Sequence, residues 1–277
     1  MATWNILRTI DQGGFGKVHE VNSDSGQKGA LKELLRSSHT ANLQRFQTEI
    51  KILQNYRHKN IITIVDSNIN GNPPSYGPWY VMEFMAGGSL RNKNLEMFGR
   101  GDLWSQKWTL QNVIFPVLDA IDYAHNHSTY PSLHRDLKPA NLLFNEHNQI
   151  KVADWGIGKD INKQSIALTI GGMGTPGYCS PEQWLWFPGG NYTVDNRTDI
   201  YSLGVIFYEM MTGKIPQIFN GVTGVRVNPP APPSHNHSTI SRDLDVVIMK
   251  MIAYEPSERY QSVQQVRNAL LPIFNRL

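Results

Sequence analysis

The pattern of apolar and polar positions changes character after Gly87-Gly88. Before that point the runs Ile6 to Ile10, Lys17 to Val21 and Ala30 to Leu34 are short and β-rich, punctuated by Gly13-Gly14, Gly16 and the turn Ser23-Asp24-Ser25-Gly26. They predict an antiparallel meander, joined by two further strands at about Ile61 to Asn68 and Trp79 to Phe84. Between these groups Leu43, Phe46, Ile50 and Leu53 recur at steps of three and four, the spacing of one helical face, so a single amphipathic helix is expected from near Thr40. Beyond the glycine pair, Leu110 to Asn126, Ile200 to Thr212, Leu244 to Ala253 and Val263 to Phe274 suit helices, and Gly213 stops the second of them. A sheet with one helix followed by a mainly helical half is an α+β arrangement. No internal repeat is found, and the proline-rich stretch Asn228 to Ser234 reads as a surface loop.

Composition narrows the possibilities. At roughly 150 residues per domain, 277 residues make about two folding units, and 40% hydrophobic residues supply cores for both. The most apolar window, Leu203 to Met211, is cut by Glu209 and too short for a bilayer, and the start Met1-Ala2-Thr3-Trp4 lacks a secretion pattern, so a soluble chain is expected. One cysteine, Cys179, closes no intramolecular disulfide, which favours a reducing, cytoplasmic compartment. The net charge of +3, without a long like-charge block, gives no reason to expect a nucleic-acid or membrane partner. His125-x-His127 and His235-x-His237 have no third ligand at useful spacing and read as solvated loop histidines.

The chemistry concentrates in three stretches: His134-Arg135-Asp136-Leu137-Lys138-Pro139-Ala140-Asn141, then Asp154-Trp155-Gly156, then Gly174-Thr175-Pro176-Gly177-Tyr178-Cys179-Ser180-Pro181-Glu182. In order and spacing, from the glycine loop at residues 11–18 to Arg259, they resemble the catalytic core of the eukaryotic-type protein kinases. The resemblance implies a bilobal fold. Residues 1–85 would form a lobe with a five-stranded antiparallel sheet and one helix, and residues 86–277 a mainly helical lobe, with ATP held between them. It also implies transfer of the γ-phosphate to Ser or Thr of a protein substrate, since Lys138 and Thr175 resemble the serine/threonine branch.

By that resemblance Asp136 is the catalytic base, Lys138 stabilises charge on the transferring phosphate, and Lys32 anchors the α- and β-phosphates while pairing with Glu49 on the amphipathic helix. Asn141 and Asp154 flank two strand-like pieces joined by the turn Asn145 to Asn148, and a hairpin there would set both oxygens side by side as ligands for Mg²⁺, a hard ion that takes few protein ligands. Gly13, Gly14, Phe15 and Gly16 resemble the phosphate-covering loop, in which glycine lets backbone amides approach anionic oxygens. Asp11 stands where the family has its first glycine. Val18, Ala30 and Leu143 look like the adenine sandwich, Met82 like the gatekeeper, and Glu83-Phe84-Met85 like the hinge. Leu53, Ile64, His134 and Trp155 match an apolar regulatory stack in which Trp155 replaces Phe, adding volume at a packing position. Glu182 is expected to pair with Arg259 and Asp199 to cap the catalytic loop.

Arg135 implies control by phosphate on the segment after Asp154, with Thr169 ahead of Ser165 as the acceptor. Ser89 and Ala140 stand where arginine-requiring relatives carry acidic residues, so no strong demand for a basic substrate is expected. Within these residues there is no sensor or anchor domain, which leaves regulation to partners, to the segment itself or to portions beyond them. Two rival readings remain: a pseudokinase that signals by contact, supported by Asp11 and Trp155 and opposed by Lys32, Glu49, Asp136, Asn141 and Asp154, and a small-molecule kinase, opposed by the peptide-binding stretch Gly174 to Glu182.

Overall fold

The computed structural model describes residues 3–12, 16–34, 40–69, 77–93, 98–155, 177–185, 192–221 and 223–277. Gly13, Gly14, Phe15, Gly156, Ser165, Thr169, Gly174, Thr175 and Pro176 lie outside them. Five strands, β1 (Trp4–Gln12), β2 (Gly16–Ser23), β3 (Lys28–Leu34), β4 (Ile64–Asn68) and β5 (Trp79–Glu83), form one antiparallel sheet in the order β1-β2-β3-β5-β4. The meander holds for the first three strands, and β5 then inserts between β3 and β4. The helix α1 (Thr40–Asn55) follows β3 as the periodicity predicts.

Alternation along these strands sorts side chains onto two faces. Val21, Leu31, Trp79 and Val81 form a small separate core with Trp4, whose Nε1 donates to Asp66 Oδ2 at 2.9 Å. Ala30, Leu34, Tyr80 and Met82 belong to the main core with Phe46, Ile50 and Leu53 of α1. Gly29 makes the smaller core possible, because a Cβ there would stand 2.5 Å from Val81 Cγ1 and 3.2 Å from Trp4 Cζ3.

The remaining elements are β6 (Gly88–Ser89), α2 (Leu90–Lys93), α3 (Leu103–Thr109), a π-helical turn (Leu110–Ile114), α4 (Phe115–His125), β7 (Leu142–Phe144), β8 (Ile150–Val152), α5 (Pro181–Leu185), α6 (Arg197–Thr212), α7 (Arg242–Met251) and α8 (Val263–Phe274). Strand, helix and fold class agree with the α+β expectation of a sheet lobe and a helical lobe. Four elements differ. Residues Ile61 to Thr63 do not extend β4; Ile61 instead forms a parallel bridge with Val152, and Ile62 N donates to Val152 O at 3.0 Å. The helix read from Leu110 is reached through α3, whose Asp102 cap accepts from Ser105 N and whose exposed Leu103 and Trp104 break the apolar periodicity. The helices α2 and α5 are too short to show a period.

The helix α6 is buried nearly all round, which marks it as the centre of the helical half, and Gly213 at φ 72° ends it with a left-handed cap. Ser241 and Ser262 cap α7 and α8 by accepting from Leu244 N and Gln265 N. Among the described residues, no helix is long and apolar enough to cross a membrane.

Candidate active site

The register of the sheet gathers several candidate site residues on one face. Lys32 lies opposite Val18 on β2 and Tyr80 on β5, and Ala30 opposite Met82, so all five side chains share one face. Lys32 Nζ reaches Glu49 Oε1 at 3.0 Å and Oε2 at 3.3 Å on α1, and Asp154 Oδ1 at 2.9 Å beyond β8. Three distant stretches of chain therefore meet at one ammonium. Burial opposes its charge, but the carboxylates of Asp154 and Glu49 outweigh that and raise its pKa well above 10.5. The charge of Lys32 overcomes burial at Asp154 and lowers its pKa, whereas burial dominates at Glu49 and raises it.

Tyr80 was not singled out by the sequence, yet its hydroxyl donates to Glu49 Oε1 at 2.9 Å. Its position two residues before Met82 on a strand was the available signal. Lys151, three residues before Asp154, was also passed over. Its Nζ lies 2.7 Å from Glu83 Oε1, which accepts from Thr63 N at 2.8 Å as well. The side chain of Glu83 thereby ties the expected hinge to the strand that leads into Asp154. Met85 is buried beside this connection, Leu143 is half-buried on β7, and Gly16 begins β2 with no room for a Cβ against Glu33 O.

The hairpin of β7 and β8 forms in the register Leu142↔Val152, and Ala153 N donates to Asn141 O at 2.9 Å, so Asn141 and Asp154 stand at neighbouring strand ends. Asn141 Nδ2 donates to Asp136 O at 2.8 Å, so the amide carbonyl is the oxygen this side chain has to offer. Asp136 Oδ2 is 2.9 Å from Lys138 Nζ. Asp154 at φ 54° and Arg135 at φ 64° both occupy the left-handed region, a local strain that surrounding bonds hold in place.

Around Arg135 those bonds radiate from Asp199, which is fully buried at the start of α6. Its carboxylate accepts from His134 N and Arg135 N at 2.8 Å each, and lies 2.8 Å from His125 Nε2. Burial lowers the pKa of His134 and keeps it neutral, with Nε2 donating to Ala153 O at 2.9 Å and Nδ1 accepting from Asp136 N at 3.2 Å. The structure corrects the reading of His125 and His127 as solvated. The first ends α4 with a side chain only 8% exposed against Asp199, and the second, in the turn just past α4, packs on Tyr56 and Tyr123. Trp155 is buried with its ring 4.9 Å from that of His134 and edge-on to Tyr56 at 5.6 Å; its Nε1 has no partner among the described residues. Glu182 and Arg259 pair as expected, through two bonds of 2.8 Å.

A family model described as the protein kinase domain matches residues 4–271. Serine/threonine-protein kinase PknB of Mycobacterium tuberculosis is 31% identical over 274 residues, covering 95% of this chain and 41% of that protein. PknB of Mycolicibacterium smegmatis is 29% identical over 270 residues, covering 94% and 41%, and serine/threonine-protein kinase Pkn1 of Myxococcus xanthus is 33% identical over 281 residues, covering 97% and 38%. The chain thus spans about two fifths of the length of these relatives. A five-stranded sheet joined to a helical half, a lysine shared by two carboxylates from α1 and from beyond β8, and a match over almost every residue lead to one conclusion: the chain belongs to the protein kinase domain family.

Proposed function

We propose that the chain transfers the γ-phosphate of ATP to serine or threonine hydroxyls of proteins, with the nucleotide between residues 1–85 and 86–277. The observation that carries this reading is the convergence of Glu49 and Asp154 on Lys32 Nζ, beside a loop that holds Asp136, Lys138 and Asn141. The donor set fits the expected groups. Lys32 and Lys138 face three carboxylates, Glu49, Asp136 and Asp154, a formal excess of one negative charge, and the oxygens of Asn141 and Asp154 are the hard donors that Mg²⁺ prefers. When bound, ATP supplies the phosphoryl group and Mg²⁺ neutralises its charge.

The residues of the chain do the rest. Lys32, held by Glu49 and Tyr80, would bind phosphate oxygens, with Val18, Ala30, Met82 and Leu143 to enclose the base and the backbone of Glu83 to Met85 to bond its edge. The glycine loop, Gly13 to Gly16, would cover the phosphates by its resemblance to the family's loop. Asp136, steadied through its backbone by His134 and Asn141, accepts the proton of the attacking hydroxyl, and Lys138 balances charge beside it. The single cysteine and the even charge support a cytoplasmic protein whose partners are protein substrates. Radiolabel transfer from ATP to a generic protein substrate tests the proposal: wild type should label it and Asp136→Ala should not. Equal labelling by both, or none by wild type, would overturn it.

A further inference from the structure

Arg91 lies on α2, directly after the β6 pair Gly88–Ser89, and α2 packs against the turn Pro139–Asn141 that closes the catalytic loop. Its exposed guanidinium donates through Nη2 to the hydroxyl of Tyr178 at 3.1 Å. Tyr178 is buried and donates in turn to the carboxylate of Glu209, near the end of α6. Three elements far apart in sequence are thus joined in one line: carboxylate, phenol, guanidinium. The phenol belongs to the stretch Gly174 to Glu182, which resembles the peptide-binding part of the family.

The order of charges along that line decides what an approaching peptide meets. Glu209 is half-buried, and burial raises its pKa while the Tyr178 hydroxyl and the positive charge of Arg91 oppose the rise. Its charge is therefore screened from within the chain. A basic substrate side chain would have to displace Arg91 and turn the Tyr178 hydroxyl away before it could reach that carboxylate. The charge offered outward is the guanidinium, a planar fork of five N–H donors matched to a carboxylate, of which Tyr178 takes one. Ser89, two residues before Arg91, and Ala140, in the turn that α2 packs against, add no negative charge to attract a base.

We propose that Arg91 is a specificity-determining residue, anchored by Tyr178 and Glu209, that favours acceptor peptides with an acidic side chain close to the serine or threonine. The inference rests on the protein kinase reading above and names its substrate class.

Peptides on an alanine background, with one serine and one flanking position at a time set to Glu, Ala or Arg, test it through kcat/KM. Wild type should prefer Glu to Arg at one or more positions by about fivefold, the ratio that corresponds to a partly exposed ion pair of about 1 kcal/mol. Arg91→Ala should flatten that preference and Arg91→Glu invert it, with the KM for ATP unchanged in both. Tyr178→Phe should weaken the preference without inverting it, and Arg91→Ala alone decides if the reversed charge fails to fold. Peptide phosphorylation with the same Glu-to-Arg ratio in wild type and Arg91→Ala overturns this inference and leaves the kinase reading intact. Absence of transfer by wild type to any peptide or protein overturns both.

Discussion

Arg259→Met removes one half of an ion pair sealed from solvent, the arginine side chain being 0% exposed and that of Glu182 2%. The guanidinium reaches both Glu182 oxygens at 2.8 Å, Ala253 O and Tyr254 O at 2.8 Å and Arg197 O at 3.2 Å, and lies 4.8 Å from the centre of the Tyr201 ring. Methionine keeps much of the stem's volume but none of these bonds. Glu182 would retain Thr198 Oγ1 at 2.7 Å and otherwise be a buried charge without a counterion. Breaking a buried pair from one side costs about 3–5 kcal/mol. At about 2 °C per kcal/mol, the lower end of the range for domains of this size, the Tm should fall by about 6–10 °C. Urea unfolding followed by circular dichroism gives the free-energy loss directly. Arg259→Met with Glu182→Leu should recover most of it, since apolar replacement of both partners is often neutral. A single variant that loses less than about 1 kcal/mol, the range of a surface pair, would refute the argument.

Other perturbations probe the site and the sheet. Lys32→Met removes a preorganised cation aimed at the phosphates and should lower kcat on the order of 10²–10³-fold in a phosphotransfer assay; a loss below tenfold would contradict the role given to Lys32. At Asp199, burial pushes the carboxyl upward, but the hydrogen bond and charge of His125 and the hydrogen bond from Arg135 N–H outweigh it and hold its pKa below 3.8. A carboxylate lowered on folding contributes stability that is complete above about pH 4 and is lost as the pH falls through the lower folded value. Asp199→Asn should therefore be less stable at neutral pH and fall less steeply in acid, as read by unfolding at a series of pH values; parallel curves would count against it. Gly29→Ala forces a methyl to within 2.5 Å of Val81 Cγ1 and should destabilise the sheet by about 1–3 kcal/mol in thermal melts; an unchanged melt would mean that the Val81 side chain turns aside and would refute the clash.

Much of the architecture is legible in local pattern. The period of three and four in α1, the glycine after α6 and the β-rich runs each place an element near its observed bounds, because helix periodicity, left-handed caps and turns depend on residues a few positions apart. The hairpin that sets Asn141 beside Asp154 was readable for the same reason, as its two strands are joined by a short turn. Spacing alone did not reveal α3, because Leu103 and Trp104 point to solvent and blur its apolar face, nor the burial of His125, which depends on a carboxylate 74 residues away.

By itself, then, the amino-acid order determined the family, the sequence of elements and the residue types available for chemistry, since motif and periodicity are properties of neighbours. Only the folded chain decided which distant groups share a proton or a charge: Tyr80 with Glu49, Lys151 with Glu83, Arg91 with Tyr178 and Glu209. Such pairings follow from how the strands cross and the helices pack. Coulomb and hydrogen-bond energies depend on separation in space, and separation along the chain carries almost no information about it.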